Sequence, residues 1–263
     1  MRHFMISLIV AVIAFPVLAA ESIYQTTLQE SGQATAEVTT EELQQILKSG
    51  SAVVFDARPV EEYAMSHIPG VLNVAQKPGM PLSQYTSDVA EIGRLLQEQR
   101  STPIVLYCNG PFCGKSKRLA ADLLAAGYTN VRRYQLGMPV WRALVGLAEI
   151  ELSAVQQIYG SDDTAVFVDA RPGMAHGTIR GAVHIPLAEV AAAKDDGRLP
   201  MLDHNTRIIV FGENGTEARD VAASLAKNAF ANVTFFGGSI DQLRVSLHAA
   251  NHTCPGLVFT REP

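Results

Sequence analysis

Short apolar runs alternate with amphipathic segments along most of the chain. Runs rich in β-branched residues predict buried strands at Ala52–Phe55, Ile104–Tyr107, Ala165–Val168 and Ile208–Phe211. Helix-length segments follow, among them Ser116–Ala126 and Glu217–Lys227. Strands that alternate with helices predict the α/β class, with parallel sheets covered by helices on both faces. Functional residues in such sheets lie at the carboxyl ends of strands.

An amphipathic helix is predicted before the first strand. Thr39 or Thr40 is a suitable N-cap, and Glu42 is close enough to complete a capping box. Leu43, Ile46 and Leu47 form an apolar stripe along this segment. The stripe predicts that one face of the helix is buried.

The same order of segments occurs twice. "AVVFDARP", "HIPGVLNV", "PIVLYC" and "LAADLLAAGYTNV" are followed by "AVFVDARP", "IRGAVHIP", "RIIVFG" and "VAASLAKNAFANV". A repeat at this separation predicts two similar tandem domains. We place the boundary near Gly146 to Glu149, which gives domains at residues 36–147 and 148–263.

The N-terminus has the pattern of an export signal. Arg2 and His3 precede an apolar run from Phe4 to Ala20 that ends in small residues. A membrane anchor is the alternative, but a spanning helix needs roughly 20 apolar residues, and this run is shorter and contains Pro16. We expect a cleaved signal peptide (residues 1–20), a flexible leader (residues 21–35) and a periplasmic or secreted protein without stable membrane insertion.

The charge and the cysteine content narrow the classes of partner and of scaffold that fit the chain. The net charge of -5 is spread without a basic block, which argues against nucleic acid as a partner. The three cysteines, Cys108, Cys113 and Cys254, are too few for a small disulfide scaffold. Their odd number leaves at least one thiol free, modified or intermolecular. No cofactor and no metal is expected.

Four segments in order carry a family resemblance. "DARPVEEYAMSHIPGVLNV", the strand "IVLYC", the helix after it and "GYTNVRRYQLGMPVWRAL" resemble the rhodanese family, and the resemblance covers nearly everything after the leader. It implies a thiosulfate sulfurtransferase-like enzyme that passes sulfane sulfur from thiosulfate or a similar small anion to a thiol or another nucleophile. The acceptor can be a protein. In common two-domain rhodaneses the cysteine lies in the second domain, so this chain departs from that order.

Cys108 is the predicted catalytic nucleophile. It stands where a strand ends and a loop leads into a helix, and loop amides and a helix N-terminus both favour the thiolate. Such surroundings lower a cysteine pKa from about 8.5 by one unit or more. The resemblance then implies covalent, ping-pong transfer through a Cys108 persulfide. The predicted substrate-binding loop consists of Asn109, Gly110, Pro111, Phe112, Cys113, Gly114 and Lys115.

Other polar residues near the predicted strand ends receive more limited roles. Lys115 is a candidate for attracting an anionic donor to the loop, although a solvated helix start is the alternative. Asp56 and Arg58 are interpreted as a structural ion pair near the site, because the second copy keeps both residues although it lacks the cysteine. His67 is also interpreted as structural, since Thr178 takes its place in the second copy.

The second domain is predicted to be inactive, because Gly212 stands where the first has Cys108. The first loop is longer: Cys108 precedes Asn130 by 22 positions, whereas Gly212 precedes the matching Asn232 by 20. This longer loop makes Cys113 a candidate redox partner of Cys108. Its five-residue separation permits a disulfide, but simple packing of Cys113 is the alternative.

Three other functions compete with sulfur transfer. A phosphatase or arsenate reductase is the first alternative, but those enzymes need an arginine six positions after the cysteine to clamp the oxyanion, and Gly114 stands there. A thiol–disulfide or persulfide relay through Cys108 and Cys113 is the second alternative. A non-catalytic binding module is the third. Uptake of one sulfur atom from thiosulfate would separate the transferase from the binding module.

Overall fold

The computed structural model describes residues 34–81, 83–173 and 177–253 of the chain. The expected signal peptide, most of the expected leader and Cys254 lie outside these residues. Within them, no helix has the length and apolar character needed to cross a bilayer.

Five parallel strands form the first sheet, in the order β1-β5-β4-β2-β3. The strands are β1 (Ala36–Glu37), β2 (Val53–Asp56), β3 (Leu72–Asn73), β4 (Ile104–Tyr107) and β5 (Val131–Tyr134). The helices are α1 (Thr40–Ser49), α2 (Val60–Met65), α3 (Asp88–Leu95), α4 (Gly114–Ala125) and α5 (Gly137–Leu144).

The second sheet repeats this arrangement in the order β6-β10-β9-β7-β8, again with parallel strands. The strands are β6 (Glu149–Ile150), β7 (Val166–Asp169), β8 (Val183–His184), β9 (Ile208–Gly212) and β10 (Val233–Ser239). The helices are α6 (Leu152–Ser161), a 3-10 turn (Leu187–Glu189), α7 (Val190–Ala193), α8 (Gly215–Lys227) and α9 (Ile240–Thr253). The prediction of two α/β domains, each a parallel sheet with helices, is confirmed.

The cores follow from the alternation of side chains along the strands. In β4, Val105 and Tyr107 pack into one buried cluster, while Ile104 and Leu106 pack into another. Successive residues of a strand point to opposite faces, so helices cover both sides of the sheet. Each domain has two such clusters.

Helix starts differ in how clearly the sequence marks them. Thr39 caps α1, and its hydroxyl and the Glu42 carboxylate complete the predicted capping box. The predicted start of α4 is wrong by two residues, because the helix begins at Gly114 and not at Ser116. Cys113 is the N-cap and makes no side-chain capping bond, so no capping residue marks this start.

Backbone pairing joins the two domains. His67 and Glu149 form an antiparallel bridge with two N–H···O bonds of 2.9 Å. The amide of Glu151 also donates to the carbonyl of Ala64, at the end of α2. Ala64 and Met65 pack against a core cluster of the second domain. The end of α2 is therefore anchored to the second domain.

Candidate active site

Cys108 follows the last residue of β4 at the carboxyl edge of the first sheet. Its side chain is buried, with 3% of its surface exposed. The loop after it closes into a turn in which the amide of Cys113 donates to the carbonyl of Gly110, at 3.0 Å. Helix α4 then begins at Gly114. The structure thus places Cys108 between a strand end and a helix N-terminus.

Two glycines let a second segment of backbone approach this loop. Gly110 has a φ of 102°, and Gly137 has a φ of 65°, values that disfavour residues with a Cβ atom. A Cβ atom at Gly137 would overlap the carbonyl of Cys108 and the amide of Gly110. The amide of Met138 donates to the Cys108 carbonyl at 3.0 Å. The start of α5 therefore holds the Cys108 backbone.

Sequence reasoning did not assign Gly137 to the site. Counted from Asn130 and Asn232, the position of Gly137 is taken by Ser239 in the second copy, so the repeat gave no signal for this glycine. A Cβ atom at Gly215, the first residue of α8, would overlap the carbonyl of Gly237. Gly237 lies inside β10, between Phe235 and Ser239 where the pairing register shifts, so in the second domain the last strand itself passes close to the start of α8.

Cys108 and Cys113 are joined by a disulfide. Their Cα atoms are 6.2 Å apart, inside the range of about 4.4–6.8 Å that disulfides span. In this state Cys108 has no thiolate to attack a donor. Reduction of the disulfide must therefore precede any nucleophilic step at Cys108.

Charged side chains of both signs border the loop. The first turn of α4 has no acidic residue and contains Lys115. The Lys115 ammonium lies 3.9 Å from a carboxylate oxygen of Asp88 and is about one third exposed. The side-chain amide of Asn109 donates to the Glu62 carboxylate, and Phe112 is fully exposed. Lys115 therefore borders the loop, with its charge partly balanced by Asp88.

Asp56, Arg58 and Tyr107, the residue before Cys108, form a buried polar network. The Asp56 carboxylate accepts bonds from the Arg58 guanidinium, the shortest at 2.6 Å, and from the Arg58 amide at 2.8 Å. The hydroxyl of Tyr107, the residue before Cys108, donates to Asp56 at 2.5 Å. Arg58 also donates to the carbonyl of Ser66 at 2.7 Å. The network joins the ends of β2 and β4 to the loop that follows α2.

The protonation of this network follows from burial and charge. Burial raises the pKa of Tyr107 well above its ordinary value, and the negative charge of Asp56 raises it further. Burial alone would lower the pKa of Arg58, but its bonds with Asp56 and the charge of Asp56 outweigh burial and raise the pKa. Tyr107 is therefore a neutral donor and Arg58 a cation at neutral pH. Among the described residues, neither Asp56 nor Arg58 forms a hydrogen bond with Cys108.

We expect Asp56→Ala to lower the free energy of unfolding by about 3–5 kcal/mol, because it leaves the buried Arg58 guanidinium without its counterion. Tyr107→Phe removes one hydrogen bond and should cost only about 1–3 kcal/mol. Phe211 at the matching position of the second domain is a natural precedent for that change. Urea unfolding followed by the fluorescence of Trp141, the single tryptophan, measures both. Equal losses in the two variants would contradict this reading of the network.

His67 lies at the junction of the domains and not at the loop of Cys108. Its ring stacks on Tyr63 at a centroid distance of 3.9 Å, and its Nδ1 lies 2.9 Å from the Tyr63 carbonyl. Its Nε2 lies 3.7 Å from the carboxylate of Glu149. Burial lowers the pKa of His67 to about 4, so the ring is neutral at neutral pH. These contacts are those of a packing residue.

The matching loop of the second domain is shorter and is filled by the chain itself. Helix α8 begins at Gly215, three residues after Gly212, whereas α4 begins six residues after Cys108. The Glu217 carboxylate accepts a 3.0 Å bond from the amide of Glu213. A Cβ atom at Gly212 would lie 3.1 Å from atoms of Asn214 and Glu217. The Glu217 carboxylate thus already accepts the hydrogen bond that the Glu213 amide of this loop can donate.

We expect Gly212→Cys, made together with Cys108→Ser, to take up no sulfur from thiosulfate. The new thiol would lie beside the Glu217 carboxylate, which disfavours a thiolate, so its pKa should stay at or above about 8.5. Thiolate absorbance measured against pH tests this value. Adding Glu217→Gln is the matched control, and it should lower the thiol pKa. A pKa well below that of free cysteine without this second change would contradict the expectation.

The chain matches the model of one protein family twice. The family is described as the rhodanese-like domain, and the matches cover residues 39–144 and 152–244. Each match covers four of the five described strands of one sheet, and β1 and β6 lie just before the matched segments. The residues that resembled this family in the sequence all lie inside the matched segments.

Individual proteins are similar to parts of the chain. An HTH-type transcriptional regulator, Rv0324 of Mycobacterium tuberculosis, is 34% identical over 113 residues, which are 42% of each chain. The chain thus spans less than half of that relative. A thiosulfate sulfurtransferase from Pseudomonas aeruginosa is 22% identical, with 82% of this chain and 42% of that chain covered and a TM-score of 0.37. The 3-mercaptopyruvate sulfotransferase SseA from Escherichia coli is 18% identical, with 78% and 98% covered and a TM-score of 0.36.

Proposed function

The chain belongs to the rhodanese-like domain family, and from this premise we propose that it is a sulfurtransferase with Cys108 as its nucleophile. The observation that carries the proposal is the difference between its two loops. The first domain has a buried cysteine between a strand end and a helix start, and the first turn of that helix contains Lys115. The second domain has Gly212 at that position and a carboxylate in its loop. Chemistry on an anionic donor thus belongs to the first domain.

The proposed donor is thiosulfate or a similar sulfane-sulfur anion. After reduction of the disulfide, the Cys108 thiolate attacks the outer sulfur of thiosulfate. The bond between the outer and the central sulfur atom of thiosulfate breaks, and sulfite leaves with the electron pair of that bond. The transferred sulfur remains on Cys108 as a persulfide anion, which loop amides and the positive N-terminus of α4 stabilise. Lys115 attracts the divalent anion to the loop.

The second half-reaction returns the enzyme to its starting state. An acceptor thiolate attacks the outer sulfur of the persulfide, takes that sulfur, and leaves the Cys108 thiolate. The acceptor is a small thiol or a thiol of a protein. The fully exposed Phe112 at the loop favours a protein acceptor, because exposed aromatic side chains are common anchors at interfaces.

Intact-mass measurement tests this proposal. The reduced, desalted protein is incubated with thiosulfate, and sulfite release is measured in parallel. We expect a gain of one sulfur atom and one sulfite per chain, and loss of that sulfur when an excess of thiol is added. A reduced protein that gains no mass and releases no sulfite would be a binding module.

The disulfide favours a second candidate function, a persulfide relay. In this reaction the Cys113 thiolate attacks the Sγ atom of the Cys108 persulfide. Hydrosulfide leaves, and the Cys108–Cys113 disulfide forms. A dithiol reductant must then reduce the disulfide and is itself oxidised. The two functions differ in their product, because simple transfer gives a persulfidated acceptor and the relay gives free sulfide.

The proposed compartment lies outside the cytoplasm, either the periplasm or the extracellular medium. The basic start and apolar run of residues 1–20 support it, and so does a disulfide, since disulfides persist in oxidising compartments. Fractionation of cells that express the full chain, with N-terminal sequencing of the mature protein, tests this. Full-length protein in the cytoplasmic fraction would reject export.

A further inference from the structure

A cleft of about 510 Å³ lies between the two domains, away from the Cys108 loop. Arg142 of α5 lines it from the first domain, and Arg207 and Asn232 line it from the second. Arg207 and Asn232 precede β9 and β10, so the cleft is at the amino edge of the second sheet. Its volume is within the range of about 300–1,000 Å³ that small-molecule sites occupy. The proposed sulfur transfer does not use this cleft.

The cleft contains a guanidinium that has no counterion among the described residues. Arg142 donates to the side-chain oxygen of Asn232 at 3.2 Å, and no carboxylate of the described residues lies within ion-pair distance of it. Burial lowers the pKa of Arg142, and the positive charges of Arg58 and Arg207 lower it further. A half-buried charge that lacks a counterion is costly for the folded state. An anion beside Arg142 would remove this cost.

The second cationic side chain is only partly neutralised. Arg207 has its Nε atom 3.7 Å from an Asp162 carboxylate oxygen, and both side chains are partly exposed. Its Nη1 atom lies 4.0 Å from the sulfur of Met65. Two guanidinium groups therefore share the cleft with one nearby carboxylate, and the excess charge is positive.

The rest of the wall includes apolar side chains. Met65 and Ile150 line the cleft together with Ala231. A bare tetrahedral oxyanion would fill only a small part of this volume and would leave the apolar wall without contacts. A carboxylate matches the planar fork of an arginine, which binds it through two parallel hydrogen bonds.

We propose that the cleft binds a small organic carboxylate, with its anionic end between Arg142 and Arg207 and its apolar part against Met65 and Ile150. The ligand contacts both domains and therefore stabilises them together. This inference does not rest on the proposed function, because binding is measured without sulfur transfer.

The test uses hexanoate, its neutral counterpart hexanamide, and inorganic sulfate as probes of the full chain. Binding is measured by calorimetry and by the fluorescence of Trp141, which precedes Arg142 in α5. We expect saturable binding of hexanoate and a higher unfolding temperature in its presence. Hexanamide should bind about 30-fold more weakly or worse, because it lacks the charge. Sulfate should also bind more weakly than hexanoate.

The variant Arg142→Gln separates the anion site from general effects on the fold. It keeps a donor for Asn232 but removes the charge, so it should weaken hexanoate binding by about 30-fold or more. Without ligand, its unfolding temperature should be equal to or above that of the parent. Arg94→Gln is the matched control, since Arg94 is exposed and paired with Glu91 elsewhere, and it should bind hexanoate normally. Equal binding of hexanoate and hexanamide, tighter binding of sulfate, or unchanged binding in Arg142→Gln would each overturn the proposal.

Discussion

Replacing Cys108 by serine is expected to abolish sulfur uptake from thiosulfate. A serine hydroxyl has almost the same size as the thiol but cannot carry sulfane sulfur as a persulfide, and it is not ionised at neutral pH. The rate of sulfite release should fall by at least about 10³-fold, as it does when an enzyme loses its nucleophile. The measurement is intact mass and sulfite release of reduced Cys108→Ser beside the reduced parent protein.

The control for this variant is Cys254→Ser, which removes a thiol of the second domain that lies outside the described residues. It should take up sulfur at the parent rate. The fold of Cys108→Ser is checked by urea unfolding under reducing conditions, where neither protein has the disulfide. Sulfite release at the parent rate by a folded Cys108→Ser protein would reject Cys108 as the nucleophile.

The strands are predictable because their buried apolar runs are short and bounded. β4 is predicted without error, and β2 is displaced by one residue, since it ends at Asp56 and not at Phe55. The ladder continues into Asp56 because Arg58 and Tyr107 satisfy its buried carboxylate. The apolar pattern in the sequence ends before the aspartate, whereas the backbone pairing of the strand includes it. The same one-residue displacement occurs at Asp169 in β7, where Arg171 plays the same part.

The position of Cys108 is also readable from the sequence, because a cysteine directly after a buried strand lies at the carboxyl edge of a parallel sheet. Contacts between distant segments are not readable in this way. The approach of Gly137 to the Cys108 carbonyl and the bond from Tyr107 to Asp56 depend on the packing of whole elements. The same is true of the cleft between the domains, since Arg142 and Arg207 belong to different repeats.

The two loops differ in whether a carboxylate of the chain binds a loop amide. In the first domain, the sequence from Cys108 to α4 contains no acidic residue, and the first turn of that helix has none. In the second domain, the Glu217 carboxylate already accepts the loop amide of Glu213. We therefore expect that restoring a cysteine alone does not restore the charge environment that a thiolate needs.

Replacing Cys113 by serine is expected to remove the requirement for a reductant before sulfur uptake. In the parent protein Cys108 is bonded to Cys113, so the oxidised form has no nucleophile and should gain no mass with thiosulfate. Serine cannot form that bond, and Cys108 of the variant stays a thiol. Intact-mass measurement without reductant should show one added sulfur atom on Cys113→Ser and none on the oxidised parent. Reductant should raise uptake by the parent to the level of the variant.

The same variant decides between simple transfer and the relay. In the relay the Cys113 thiolate displaces hydrosulfide from the Cys108 persulfide, and two electrons from a dithiol then restore both thiols. Because the attacking group belongs to the same loop, Cys113→Ser should slow sulfide release by at least about 10²-fold and keep its persulfide in the absence of an acceptor. Sulfide is measured after removal of unbound thiosulfate, with Cys254→Ser as the control that should behave like the parent. Equal rates of sulfide release by the reduced parent and Cys113→Ser would show that Cys113 has no part in the turnover of the persulfide. Sulfur uptake by the unreduced parent at the level of unreduced Cys113→Ser would show that Cys113 does not protect Cys108.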